Sequence, residues 1–284
     1  MKNQKFGIEI EFAGITREAA ADIVADFFGN GYFYEGGILN ERYIPDAENR
    51  IWKVVKDASI EAEEQMQCEL VTPILSYGDL DILLDIVKRL KAAGAIVNLS
   101  CGMHIHIDAR DFTPQAIVNL VSLISSRESL IYKALGIAKD RMRYCKKINS
   151  ELVDLIQKNK PGSLEELRKD WYLESPYELV DGKYHSTRYH GLNLHAMFTK
   201  GTVEFRLFNA TLEGVAVKAY LQFALAICYM AKVHTKAFIK KTNTYNEKYT
   251  FRCFLLRLGL SGDEYKDCRR ELMKNLTGDC AWKG

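Results

Sequence analysis

Five short segments of this chain place an acidic, imidazole, amide or guanidinium side chain at every second position of an otherwise apolar run. That alternation limits the available folds more than any other feature. The segments are FGIEIEF (6–12), QCELVTP (67–73), GMHIHID (102–108), GLNLHAM (191–197) and TVEFRLF (202–208). In a β-strand residues i and i+2 share a face. Each segment therefore reads as a strand with one apolar face. The other faces carry, in turn, Glu9 with Glu11; Glu69; His104, His106 and Asp108; Asn193 with His195; and Glu204 with Arg206. A solvated outer face accounts for any one of these strands but poorly for all five, because such faces ordinarily carry Lys, Thr, Ser and Gln.

Two glutamates side by side on a strand repel, and partial burial raises that cost unless a cation or a proton compensates. A metal is the simpler compensation. Several carboxylates with one histidine describe a hard, oxygen-rich site suited to Mg²⁺ or Mn²⁺ more than to zinc. The chain has no HExxH, and HxH alone on a strand is a weak zinc signal. His185, His190 and His234 have no comparable partner spacing and read as structural or surface residues. Arg206 sets a permanent cation beside Glu204, a pairing that suits a transferring phosphoryl group. The plainer alternative is an ordinary ion pair.

Elsewhere the spacing predicts a helix capped by Thr16 and stopped at Gly29–Gly31, and strands at Trp52–Val55 and Cys68–Val71. A helix follows over Asp79–Ala93, then a strand over Val97–Asp108. Thr113-Pro114 opens one long helix, Pro114–Leu135, ended by Gly136. Residues 137–185 break into shorter helical pieces around a basic cluster, Arg141, Arg143, Lys146 and Lys147. That cluster reads equally as a phosphate or acidic-substrate contact and as a solvated face. Tyr189–Met197 and Thr202–Phe208 read as a hairpin turning at Thr199-Lys200-Gly201, followed by a long helix, Glu213–Lys232, and two small helices within Phe251–Leu276. Hairpins mixed with helices favour an α+β fold with a largely antiparallel sheet. One domain over 1–284 is expected, with 137–185 as an inserted helical cap or lid and 245–284 as a C-terminal helical extension.

Composition adds exclusions. With 39 basic and 37 acidic residues, the net charge of +2 gives no global argument for nucleic acid or an anionic membrane as partner. Seven cysteines with no CxxC argue against a disulfide framework or a cysteine-rich zinc module; they read as reduced thiols, and a cytoplasmic location is expected. Glu9 and Glu11 interrupt any apolar leader, and the apolar stretch 219–231 is too short, and too polar at Gln222, to span a bilayer.

In order, FGIEIEF, KDASI followed by ELVTPIL, CGMHIHID, and RYHGLNLHA followed by GTVEFRLFN resemble the amidoligase family, within the glutamine-synthetase-like carboxylate–amine ligase superfamily. The resemblance runs from about Phe6 to Thr211. It implies a curved antiparallel sheet whose concave face holds ATP and divalent ions, with helices outside. Glu9 and Glu11 resemble the ExE strand that ligates different metal ions, Glu69 would be a further ligand, His104 a metal ligand and His106 a contact to nucleotide phosphate. Glu204 resembles the late metal-binding glutamate and Arg206 the arginine that contacts the transferring phosphate. Arg188 and Asn193 fall where substrate or phosphate contacts lie, and Asp57 where the amine would sit. Asp57 and Ser59 match a DGS-like segment in which Ala58 replaces the usual glycine.

The implied activity is ATP-dependent formation of an amide or isopeptide bond through an acyl phosphate, on an amino acid, peptide or protein carboxylate, with Mg²⁺ or Mn²⁺. Two other classes fit the same residues: a metal-dependent hydrolase using His104, His106 and nearby carboxylates, and a non-catalytic nucleotide- or peptide-binding module.

Overall fold

The computed structural model describes residues 1–173, 175, 185–234 and 245–281. Eight strands form one antiparallel sheet: β1 (Phe6–Phe12), β2 (Phe33–Glu35), β3 (Glu41–Pro45), β4 (Ile51–Lys56), β5 (Cys68–Val71), β6 (Gly102–Asp108), β7 (Leu192–Asn193) and β8 (Thr202–Asn209). Their spatial order is β2-β3-β4-β5-β1-β6-β8-β7. The helices among the described residues are α1 (Arg17–Phe28), α2 (Leu80–Ala92), α3 (Pro114–Ser125), α4 (Glu128–Leu135), α5 (Ser150–Asn159), α6 (Leu164–Tyr172), α7 (His195–Lys200), α8 (Gly214–Val233), α9 (Glu247–Arg257) and α10 (Lys266–Met273). The fold is α+β, as the alternating segments and their intervening helical periods imply.

The apolar half of each alternation builds the core. Ile8 and Ile10 of β1, Leu70 of β5, Ile105 and Ile107 of β6 and Phe205 of β8 are buried together with α2, α3 and α8. The helix α8 is apolar nearly all round because it packs against α3, α10 and β6. At 20 residues it has the length and composition of a membrane span, yet most of it is buried within the protein. The residues 245–281 contribute α9 and α10, whose Phe251, Leu255 and Leu272 join the same core. Predicted stops hold locally: Thr16 Oγ1 accepts the Ala19 N–H at 3.1 Å, and Gly29 closes α1 in the left-handed conformation.

Four sequence expectations are corrected. The strand predicted over Val97–Asp108 starts only at Gly102, because Asn98 Oδ1 accepts the Ser100 N–H at 2.9 Å and holds residues 98–101 in a turn. The single helix Pro114–Leu135 is two, α3 and α4. At the break, the Ser125 and Ser126 hydroxyls donate to the carbonyls of Ser122 and Leu123, and Arg127 leaves helical geometry. The hairpin partner Tyr189–Met197 is reduced to the two residues of β7, and α7 follows directly. His195 therefore opens a helix instead of sharing a strand face with Asn193. Finally, β2 and β3 lie where no strand was expected. Of the 137–185 segment, α5 and α6 are helical as expected, while residues 174 and 176–184 lie outside the described residues.

Candidate active site

Strand register assembles the polar face. Glu11 stands opposite Glu69, and Glu9 opposite both Val71 on β5 and His104 on β6. His106 stands opposite Glu204, and Glu204 opposite Asn193. Residues directly opposite one another share a face. Five neighbouring strands, β5-β1-β6-β8-β7, thus bring Glu69, Glu9, Glu11, His104, His106, Glu204, Arg206 and Asn193 to one surface.

Three overlapping groups of donor atoms result, each with its atoms within 4.8 Å of one another: Glu9–Glu69–His104, Glu9–His106–Glu204 and Glu11–Asp57–Glu69. His104 Nδ1 is 3.1 Å from Glu9 Oε2, and His104 Nε2 is 3.7 Å from Glu11 Oε1. His106 Nε2 is 3.3 Å from Glu9 Oε1 and 3.9 Å from Glu204 Oε1. Its Nδ1 is 3.1 Å from Thr202 Oγ1, which leaves Nε2 turned to the carboxylates. Both Glu204 oxygens are held, one by Arg206 Nη1 at 2.6 Å and the other by Asn193 Nδ2 at 2.6 Å.

The electrostatics divide the face in two. Burial works to raise the Glu9 and Glu204 carboxyls, but the imidazoles and the guanidinium beside them prevail. His106 and His104 hold Glu9 well below the usual carboxylate range, and His106 with Arg206 holds Glu204 at about 2. Burial and Arg206 push His104 down to about 4. Burial would lower His106 too, yet Glu204 and Glu9 raise it. At the other end burial and the Asp57 carboxylate push Glu11 up to about 7, and burial with Glu9 and Glu11 carries Glu69 well above its ordinary value. The buried Asn193 Oδ1 makes no hydrogen bond. Carboxylate oxygens outnumber imidazoles in the groups taken together, so the donor set fits hard divalent cations such as Mg²⁺ or Mn²⁺.

Two cavities adjoin this cluster at opposite ends. One, of about 170 Å³, is lined by Glu11, Asp57, Ser59, Tyr144, Arg188 and Arg206. The other, of about 290 Å³, is lined by Glu9, Val71, Ile74, His106, Arg110 and Lys200. Asp57 Oδ1 accepts the Ser59 N–H at 2.7 Å, and Ala58 is not among the residues of positive φ, so this turn needs no glycine. Arg188 sits on a short 3₁₀ turn, Ser186–Tyr189, with its guanidinium carbon 5.5 Å from the Tyr189 ring centroid.

The structure thus brings together Glu9, Glu11, Glu69, His104, His106, Asn193, Glu204 and Arg206, with Asp57 and Arg188 at the smaller cavity. It removes His195, whose Nδ1 lies 2.6 Å from the Tyr172 hydroxyl. The basic cluster does not converge. Arg143, Lys146 and Lys147 are exposed, whereas Arg141 is buried and donates to the carbonyls of Phe208 and, at 3.0 Å, Arg206. Those carbonyls flank a register irregularity at which two β8 residues, Arg206 and Leu207, stand opposite His104. Gly102 leaves the space that the guanidinium fills. Sequence reasoning missed Arg141 in this role, and also Arg110 and Lys200, which reach the larger cavity from loop and helix-end positions outside any strand period.

The family model described as "Putative amidoligase enzyme" matches residues 2–228, which include every residue of this face. No curated protein matches the chain.

Proposed function

The chain belongs to the amidoligase family, and from that premise we propose that it is an ATP-dependent carboxylate–amine ligase that forms an amide through an acyl phosphate. One observation carries this reading: three interlocked donor groups on one sheet face, bordered by a buried arginine and lying between two cavities.

Glu9, Glu11, Glu69, His104 and Glu204 would hold divalent cations, which when bound would neutralise phosphate oxygens. Val71 and Ile74 give the larger cavity an apolar wall for a nucleotide base, while Arg110 and Lys200 supply charge for its phosphates. His106, between this cavity and Glu204, lies where a transferring phosphate would pass. Arg206 is fixed through Glu204 and the Tyr144 carbonyl and lines the smaller cavity, so its Nη2 stabilises the phosphoryl charge without reorganising. The substrate carboxylate oxygen bonds to the γ-phosphorus as the bond to ADP breaks. The amine nitrogen then bonds to the acyl carbon, phosphate leaves, and Asp57 takes the proton that the nitrogen loses. Arg188 orients the substrate at the mouth of the smaller cavity.

Incubation with Mg²⁺, ATP and a panel of amino acids, peptides and amines should yield ADP and phosphate only when both a carboxylate and an amine are present. Glu9→Gln and His104→Ala should abolish that release. Nucleotide that neither binds nor turns over would end the proposal.

Metal affinity should rise with pH. In the metal-free protein Glu11, at about 7, retains its proton at pH 6, and burial with Glu9 and Glu11 favours the protonated form of Glu69, so that a cation must displace protons to bind. Binding is therefore weaker at pH 6 than at pH 8 and releases protons. Titration calorimetry in two buffers of different ionisation heat measures this directly. An affinity flat across that window, with no buffer dependence, would show that these two carboxylates do not ligate.

A further inference from the structure

The polar face does not end at the metal cluster. Register continues one row outward from Glu9 through Val71 on β5, Lys53 on β4, Tyr43 on β3 and Phe33 on β2. Strands lie about 4.8 Å apart, so four steps carry this row about 19 Å from Glu9. The outer part is open: Phe33 is 71% exposed and Ile51, two residues from Lys53 on the same face, is 38% exposed. Ile74, which lines the larger cavity, is 65% exposed and borders the inner end. The shelf thus exposes apolar side chains and is continuous with the site.

Toward the β2 edge its charge is acidic. Glu35 and Glu41 stand directly opposite each other on the same face, a like-charge pair that destabilises a sheet unless a cation bridges it. The Tyr43 hydroxyl donates to Glu41, and Lys53 Nζ lies 3.9 Å from Glu41 and 4.7 Å from the Tyr43 ring centroid. The Glu35 end has no such cation among the described residues. An arriving ammonium or guanidinium would complete the pair, and Phe33 beside it offers an apolar or cation–π contact.

We propose that the β2–β4 shelf docks a polypeptide substrate in extended form, with a basic side chain against Glu35 and Glu41, an apolar one against Phe33, and its reacting group led along the row of Val55, Glu69 and Glu11 to the smaller cavity, leaving the Val71 and Ile74 wall to the nucleotide. This rests on the ligase reading. At about 3.3 Å per residue, five or six residues span the row. A second copy of the chain fits less well, because a three-residue edge strand supplies little of the roughly 800 Å² per partner that a stable dimer buries.

Fluorescence anisotropy with labelled hexapeptides tests the proposal without any turnover. Hexapeptides that carry lysine and leucine two residues apart, on one face of the extended chain, should bind, and those with glutamate in place of the lysine should not. Phe33→Ala should weaken the lysine peptide about tenfold, and the double variant Glu35→Lys with Glu41→Lys should reverse the preference toward the glutamate peptide. Thermal melts check that these substitutions, at exposed Phe33 and Glu35 and at half-buried Glu41, leave the fold intact. Equal binding of both peptides, or binding that the variants leave unchanged, overturns the shelf. So does a concentration-dependent dimer that Phe33→Ala dissolves, since the occupant would then be a second copy. Calorimetry with Mg²⁺ and nucleotide on the same samples separates the two ideas: nucleotide binding without peptide selectivity defeats the shelf alone, whereas loss of nucleotide binding in the unaltered protein defeats the ligase reading.

Discussion

Arg206→Lys is expected to lower amine-dependent ADP formation by at least about a hundredfold, the scale on which a fixed donor to developing charge is lost, while moving the melting temperature little. Lysine keeps the positive charge, so the effect isolates the guanidinium fork. In the native site Arg206 Nη1 is committed to Glu204 at 2.6 Å and Nε donates to the Tyr144 carbonyl at 3.5 Å, leaving Nη2 for the transferring group. A lysine ammonium at this position serves Glu204 or the phosphoryl oxygens, not both in the same geometry. Glu204 retains its Asn193 donor, which limits the structural cost. Steady-state kinetics decide the role: a fall in kcat at saturating ATP fits stabilisation of transferring charge. An unchanged kcat with a raised KM for ATP would assign Arg206 to nucleotide binding alone.

The site was legible where period alone determines direction. Glu9 with Glu11, His104 with His106 and Glu204 with Arg206 each follow from strand alternation, and only adjacency between strands had to be supplied. Register is set by pairings far apart in sequence, so the facing of Glu9 with His104, or of Glu11 with Glu69, is invisible in either segment by itself. Period also misleads where a turn intervenes. GLNLHAM keeps the alternation of a strand, yet the chain turns into α7 at His195, whose ring then meets Tyr172 instead of the cleft. The strands β2 and β3 escaped notice for a different reason: FYE and ERYIP lack a regular apolar face, since their outward row is open and only Ile44 of β3 is fully buried. Arg141 lies beyond any local rule. Charge clustering groups it with Arg143, Lys146 and Lys147, while burial and two backbone carbonyls make it a structural residue.

That distinction yields the second large expectation. Arg141→Met should destabilise the fold by about 3–5 kcal/mol, since each buried carbonyl left without a partner costs roughly 1–3 kcal/mol. At about 2–4 °C per kcal/mol for a chain of this size, the melting temperature should fall by roughly 10 °C. The carbonyls concerned belong to Arg206 and Phe208, flanking the point where β8 slips against β6, so the guanidinium substitutes for ladder bonds that the slip removes. Arg141→Lys should recover only part of the loss, because an ammonium on a flexible stem does not span both carbonyls as a planar fork does. A side chain at residue 102 would collide with the same guanidinium, so Gly102→Ala should also destabilise, through the arginine it displaces. The two effects share one cause and should not add. In the double variant Gly102→Ala with Arg141→Met the alanine methyl no longer meets the guanidinium. Denaturant melts of all four proteins should then show a coupling energy of about 1 kcal/mol or more. Strict additivity would mean that Arg141 does not fill the slip, and that His104 and Arg206 owe their shared face to some other contact.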